Sequence, residues 1–227
     1  MKLVVVSAGL SVPSSTRLLA DRLAAAVGAR TPVDVEVVEV RDLAVEIAHH
    51  LTSGFPGKHL SAAFDAVTGA DGLVVVTPVF SGSYSGLFKS FFDVLGAWDK
   101  DALAGKPVLI AATGGTARHS LVLDHALRPL FAYLRAVVVP TGVYAASEDW
   151  GAEGLHGRIE RAGGELAVLL GGPGAARAGA PEAPAAVPAD APAPVPVPVP
   201  EQAPAPAPRP DADGVVPFEQ LLASLRP

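Results

Sequence analysis

Ser14, Ser15, Thr16 and Arg17 stand together a few residues behind a short apolar run, a grouping suited to holding a phosphate. Three hydroxyls and a guanidinium at the start of a helix add side-chain donors to backbone N–H groups that lack intrahelical partners, and to the positive end of the helix dipole. Ordinary capping needs only one such residue, so the cluster of four favours anion binding. The segment 7–17 (SAGLSVPSSTR) matches neither G-x-x-x-x-G-K-[ST] nor G-x-G-x-x-G. That argues against a nucleoside triphosphatase and against tight dinucleotide binding here, and leaves a phosphomonoester as the better guest.

A second loop, residues 77–89 (TPVFSGSYSGLFK), combines glycines that permit close backbone approach with aromatic and hydroxyl side chains. Pro78, Val79, Phe80, Ser81, Gly82 and Ser83 exceed what a plain turn requires, and a flat, partly polar ring could rest against them. Ser85 then caps a helix whose Phe88, Phe91 and Phe92 read as core. The run from Gly82 to Gly86 superficially suggests G-x-S-x-G, but its centre is Tyr84, so a serine hydrolase would have no nucleophile there. In a third Gly-rich loop, Thr113, Gly114 and Gly115 could line the pyrimidine side of a bound ring or receive part of a second substrate. His119 reads as a helix-start or surface residue, having no carboxylate partner assignable from sequence. His49, His50, His125 and His156 lack metal-ligand spacing and read as structural or solvated, so no metal is expected. FMN carries one phosphomonoester and one such ring, and would use all three loops.

The elements that must position these loops follow from hydrophobic periodicity. Short β-branched runs at 3–6, 33–40, 72–77, 107–113 and 136–143 alternate with helical patterns at 17–27, 60–68, 85–96, 121–134 and 152–170. In the first helix Leu18, Leu19, Ala20, Leu23, Ala24 and Val27 share one face. Runs 72–77 and 107–113 are almost continuously apolar, as central parallel strands covered on both faces require, whereas Asp34, Glu36 and Glu39 give the second strand an exposed face or a sheet edge. The expected fold is α/β: a flavodoxin-like three-layer sandwich with a five-stranded parallel sheet in the order 2-1-3-4-5. Such sheets bind ligands beyond the carboxyl ends of their strands, where the order reverses between the first and third. Those ends carry the loops singled out above.

Of 22 prolines in 227 residues, more than half fall within 172–213, where Pro and Ala alternate and no core could be buried. The chain therefore divides into a folded domain at 1–171, a Pro/Ala-rich disordered linker at 172–213 and a short helical segment at 214–227, with Phe218, Leu221, Leu222 and Leu225 along one side. The net charge of −6 lies about half in the tail, so the folded part has no strong field and nucleic acid is an unexpected partner. There is no cysteine, which excludes thiol chemistry and suits a reducing cytoplasm. The first apolar run is too short for a signal peptide, no stretch reaches the roughly 20 apolar residues of a membrane span, and the expected location is cytoplasmic.

On the cluster 14–17, on TPVFSGSYSGLFKSFFD (77–93) and on ATGGTARHS (112–120), the chain resembles the NADPH-dependent FMN reductase family of flavodoxin-like proteins. It is most similar to the members that serve luciferase-like flavin monooxygenases. The first loop departs from the family's common G-S-x-R form, with Ala8 and Gly9 at the G-S pair and Arg17 arriving later. The resemblance implies that Ser14, Ser15, Thr16 and Arg17 bind the FMN phosphate, that Pro78 to Ser83 flank the isoalloxazine ring, and that Thr113, Gly114 and Gly115 contact its far side. It implies hydride transfer from NADPH or NADH to flavin N5 with no dedicated catalytic acid or base, release of reduced FMN to a partner monooxygenase, and assembly as a homodimer or homotetramer. Two other readings stay open: a quinone, azo or chromate reductase that keeps FMN tightly bound, and a non-enzymatic flavodoxin-like electron carrier. The terminal helical segment would dock on the partner monooxygenase or on its own domain or a sister subunit.

Overall fold

The computed structural model describes residues 1–171. The expected linker and terminal helical segment lie outside the described residues. Strands β1 (Lys2–Ser7), β2 (Asp34–Glu39), β3 (Gly72–Phe80) and β5 (Pro107–Gly114) form a parallel sheet in the order β2-β1-β3-β5. Its last position is shared by β6 (Val137–Val138) and β7 (Val143–Ala146), both parallel to β5. The expected order 2-1-3-4-5 therefore holds position by position, with two differences of detail. The fifth strand is split, because Pro140 has no N–H to give a ladder and the next donors turn away from it: Thr141 gives its backbone N–H and its hydroxyl to Glu165, each at 2.7 Å. The second difference is β4 (Ser83–Tyr84), an antiparallel partner of β3's end.

Strand residues alternate between two cores. Leu3, Val5, Val74, Val76, Leu109 and Ala111 pack under α1 (Ser15–Gly28) and α6 (Glu153–Gly171). Val4, Val6, Leu73, Val75, Val108 and Ile110 pack under α3 (Lys58–Thr68) and α4 (Gly86–Trp98) and the segments beside them. This is the three-layer arrangement that continuous apolar strands demand. Phe88, Phe91 and Phe92 are core as expected, with the rings of Phe88 and Phe92 4.9 Å apart. Leu18, expected on the buried face of α1, is instead 45% exposed.

Two segments depart further from the expected pattern. Residues 44–53 form an unanticipated helix, α2 (Ala44–Ser53), in which only Ile47 and His50 are buried and no side chain caps the start, so it carries little periodic signal. Its Glu46 accepts the Leu60 backbone N–H at 2.8 Å at the start of α3, a bond that holds its carboxyl below the usual range. The helix expected over 121–134 begins as a π-helical turn at Leu123–Leu127 and becomes α5 at Arg128–Tyr133. Pro129 contributes by having no N–H for the carbonyl of His125, four residues earlier.

Gly163 sets the approach of α6 to α1. A Cβ there would lie 2.7 Å from the Ala26 Cβ and 3.0 Å from the Ala26 carbonyl carbon. Gly163→Ala is expected to push the helices apart and cost about 1–3 kcal/mol, read by urea unfolding. Unchanged stability would show that α6 can shift freely. No helix among the described residues is long and apolar enough to cross a membrane.

Candidate functional site

The carboxyl ends of β1, β3 and β5 bring the three loops together, because β1 and β3 are sheet neighbours from which the chain winds in opposite directions. After β1, Ser14 caps α1 by accepting the Arg17 N–H on its hydroxyl at 3.2 Å. The N–H groups of Ser15 and Thr16 make no hydrogen bond among the described residues, as the first turn of a helix dictates. Ser15 is exposed, and Ser7, at the end of β1, has a buried hydroxyl with no partner among the described residues. Donors without acceptors at a helix N-terminus fit a phosphate.

The four residues of this cluster are not equivalent. The Thr16 hydroxyl is buried against the Thr113 hydroxyl, 2.8 Å away and 97 residues on in sequence. That bond ties the first loop to the third and commits one of the two hydroxyl protons. Thr16→Val would leave Thr113 buried and unpaired, and is expected to cost about 1–3 kcal/mol, largely recovered in the double variant Thr16→Val/Thr113→Val. Urea unfolding of the cycle measures this, and additive losses would mean that the two hydroxyls do not depend on each other.

Arg17 lies beside the loop with its guanidinium held by two carboxylates, Asp21 and Glu39, each at 2.7 Å. The pairing, with Asp21 foremost, raises its pKa further. Glu39 ends β2, and its second oxygen is buried without a partner among the described residues. Arg41, just beyond, donates to the Ser11 carbonyl at 2.8 Å and steadies the loop. Sequence reasoning missed both Glu39 and Arg41 as site residues. The available signal was topological: β2 pairs with β1, so its carboxyl end must adjoin the first loop.

The second loop is a β-hairpin. Strand β3 runs on through Pro78 and Val79 to Phe80, and Phe80 pairs with Ser83 across Ser81 and Gly82. Both turn residues have positive φ, +50° and +77°, the signature of a two-residue hairpin turn, and Gly82 makes the second conformation inexpensive. The buried Thr77 hydroxyl pins the base by accepting the Ser85 N–H at 3.0 Å, while Ser85 caps α4 through the Phe88 N–H. Phe80 is 50% exposed at the tip, and a Cβ on Gly82 would meet nothing within 4 Å.

In the third loop Thr113 sits beside Pro78 in register and is committed to Thr16. Gly114 is covered by the Tyr144 hydroxyl, which donates to the Thr116 carbonyl at 2.7 Å. Burial, with Glu148 and Asp149 nearby, raises the Tyr144 pKa and keeps it a donor. Gly115 faces open space. Between the hairpin and the segment that follows lies a depression of about 320 Å³, lined by Gly82, Ser83, Arg118, His119, Leu121, Val122, His125 and Ala126. A rigid floor of strand ends, an anion cradle of unpartnered N–H groups and two glycines without side-chain cover suit a phosphorylated planar ligand. No group of metal-binding residues occurs among the described residues.

The family model for NADPH-dependent FMN reductase matches residues 1–151. An "FMN reductase (NADPH)" from Pseudomonas aeruginosa is 43% identical over 176 residues, covering 75% of this chain and 93% of that protein. An "NADH-dependent FMN reductase SfnF" from Pseudomonas fluorescens is 40% identical over 176 residues, covering 75% and 92%. The solved structure of an oxidoreductase from Corynebacterium diphtheriae superposes with a TM-score of 0.71 at 51% identity, covering 74% of this chain and 96% of that one.

Proposed function

The chain belongs to the NADPH-dependent FMN reductase family, and from that premise we propose that it reduces FMN by hydride transfer from NAD(P)H to flavin N5 and supplies reduced FMN to a partner flavin-dependent monooxygenase in the cytoplasm. That it is an NAD(P)H-dependent FMN reductase follows from the family and from relatives at 40–43% identity. The observation that carries the site assignment is the meeting, on one sheet edge, of the unpartnered N–H groups at the start of α1 with the open hairpin of β3 and β4.

FMN supplies the electron chemistry when bound, which leaves the protein to position and exclude. The Ser15 and Thr16 N–H groups and the Ser14 and Ser15 hydroxyls hold the phosphate, with Arg17 beside them neutralising Asp21 and Glu39. Pro78, Val79, Phe80, Ser81, Gly82 and Ser83 flank the ring as one stiff ribbon. Thr113, Gly114 and Gly115 form the opposite wall, Gly115 through its bare backbone.

Steady-state oxidation of NADPH and NADH with FMN, FAD and riboflavin tests this reading. Turnover is expected with FMN in excess over enzyme, the flavin leaving on dialysis. Stoichiometric FMN retained through dialysis, with a quinone reduced faster than free FMN, would replace it by the tightly bound reductase. No turnover with either nucleotide would leave the electron carrier. Light scattering on the same preparation checks assembly as a homodimer or homotetramer.

A further inference from the structure

Arg118 stands apart from the other arginines around the site. Arg17, Arg128 and Arg158 are each engaged by a carboxylate. Arg118 makes no ion pair or side-chain hydrogen bond with another described residue, and it sits on the 3-10 turn Ala117–His119, three residues beyond Gly115. His119 and His125 line the same 320 Å³ depression, also without side-chain partners among the described residues. No carboxylate lines it. Asp124, beside His125 in sequence, is engaged by Arg128 at 3.2 Å, and Glu148 accepts the Ala117 N–H at 3.3 Å. The remaining wall is apolar, with Val122 and Ala126 behind and Leu121 61% exposed at the rim.

This combination of one permanent cation, two imidazoles, no acid and an apolar rim is suited to an anion attached to a flat or sugar-like body. Its location narrows the choice. The depression is bounded by Gly82 and Ser83 of the hairpin, so it adjoins the ribbon that flanks the ring, and it shares no lining residue with the anion cradle at α1. A hydride donor working at the hairpin carries its pyrophosphate one ribose away from the reacting nicotinamide, and NADPH carries its 2′-phosphate on the second ribose beyond that, so both must rest on surfaces within reach of that ribbon.

Resting on the NAD(P)H-dependent reductase reading, we propose that Arg118, His119 and His125 form the subsite for a phosphate of the nicotinamide dinucleotide, with Arg118 as the principal donor. The phosphate is the 2′-phosphate of NADPH or the pyrophosphate shared with NADH. The relatives differ in this respect, one named for NADPH and another for NADH, so side chains within the shared fold must set the preference.

Calorimetric titration of the FMN-saturated protein with adenosine 2′,5′-bisphosphate and with ADP, alongside KM values for NADPH and NADH, tests the subsite. Arg118→Ala is expected to weaken nucleotide binding at least tenfold and Arg118→Glu further, while Arg118→Lys restores most of it and the Kd for FMN stays within twofold. A loss confined to the bisphosphate and NADPH assigns the 2′-phosphate, and an equal loss for ADP, NADPH and NADH, with a smaller one for the bisphosphate, assigns the pyrophosphate. Wild-type binding of every nucleotide by both Arg118→Ala and Arg118→Glu overturns the proposal. Calorimetry separates this from the parent reading: a wild-type protein that binds the analogues through Arg118 but oxidises neither nucleotide retains the subsite and loses the reductase.

Discussion

Gly9→Val is expected to raise the KM for FMN more than a hundredfold while riboflavin reduction falls much less. Gly9 is buried at the start of the first loop, and a Cβ there would collide with the Ser14 hydroxyl and lie 3.1 Å from both the Ser14 and the Thr16 Cβ atoms. None of those atoms can yield cheaply. Ser14 is the helix cap, and Thr16 is anchored through Thr113 across the sheet. The loop must therefore lift, and the N–H groups of Ser15 and Thr16 lose their convergence. Two hydrogen bonds to a charged phosphate are worth about 1.5–3 kcal/mol each, which sets the hundredfold floor. Riboflavin lacks the phosphate and reports on the hairpin alone. The check is steady-state kinetics with both flavins, on protein whose circular dichroism matches the wild type, and an FMN KM within twofold of wild type would move the phosphate elsewhere.

Arg17→Ala is the second large effect, and its size comes from charge. Arg17 neutralises Asp21 and Glu39, and of these Glu39 has one buried oxygen with no other partner among the described residues. Without the guanidinium, two carboxylates stand uncompensated beside the cradle for a dianion. The expected result is a rise of about ten- to hundredfold in the KM for FMN, corresponding to roughly 1.5–3 kcal/mol, against little change for riboflavin. Adding Glu39→Gln to Arg17→Ala should recover part of the loss, because one of the two uncompensated charges is then gone. Equal effects on the two flavins would remove Arg17 from the phosphate site.

Much of this protein was legible in its sequence because the relevant signals are local. Continuous apolar runs such as 72–77 and 107–113 can only be strands covered on both faces, and alternating them with helical patterns leaves few sheet topologies. The expected α/β fold and the loops at its strand ends follow from that. The elements that went unread have weak or broken periodicity. Helix α2 buries just Ile47 and His50, and the fifth strand is interrupted at Pro140, where Glu165 of α6 takes over the hydrogen bonding. The hairpin at Ser81 and Gly82 carried a short turn signal inside what reads as one long loop.

By itself, then, the sequence determined where the chain would place an anion cradle and a ring-binding ribbon, since capping, turn chemistry and hydrophobic period act over neighbouring residues. Only the tertiary structure decided how the members of each group are employed. Thr16 and Thr113 spend their hydroxyls on each other, Arg17 divides its guanidinium between Asp21 and Glu39, Gly114 is roofed by Tyr144, and Arg118 is left beside the hairpin without a described partner. The physical reason is that hydrogen-bond donors and charges are satisfied by whatever lies within about 3 Å in space. Those neighbours are set by sheet register and helix packing across tens of residues of intervening chain.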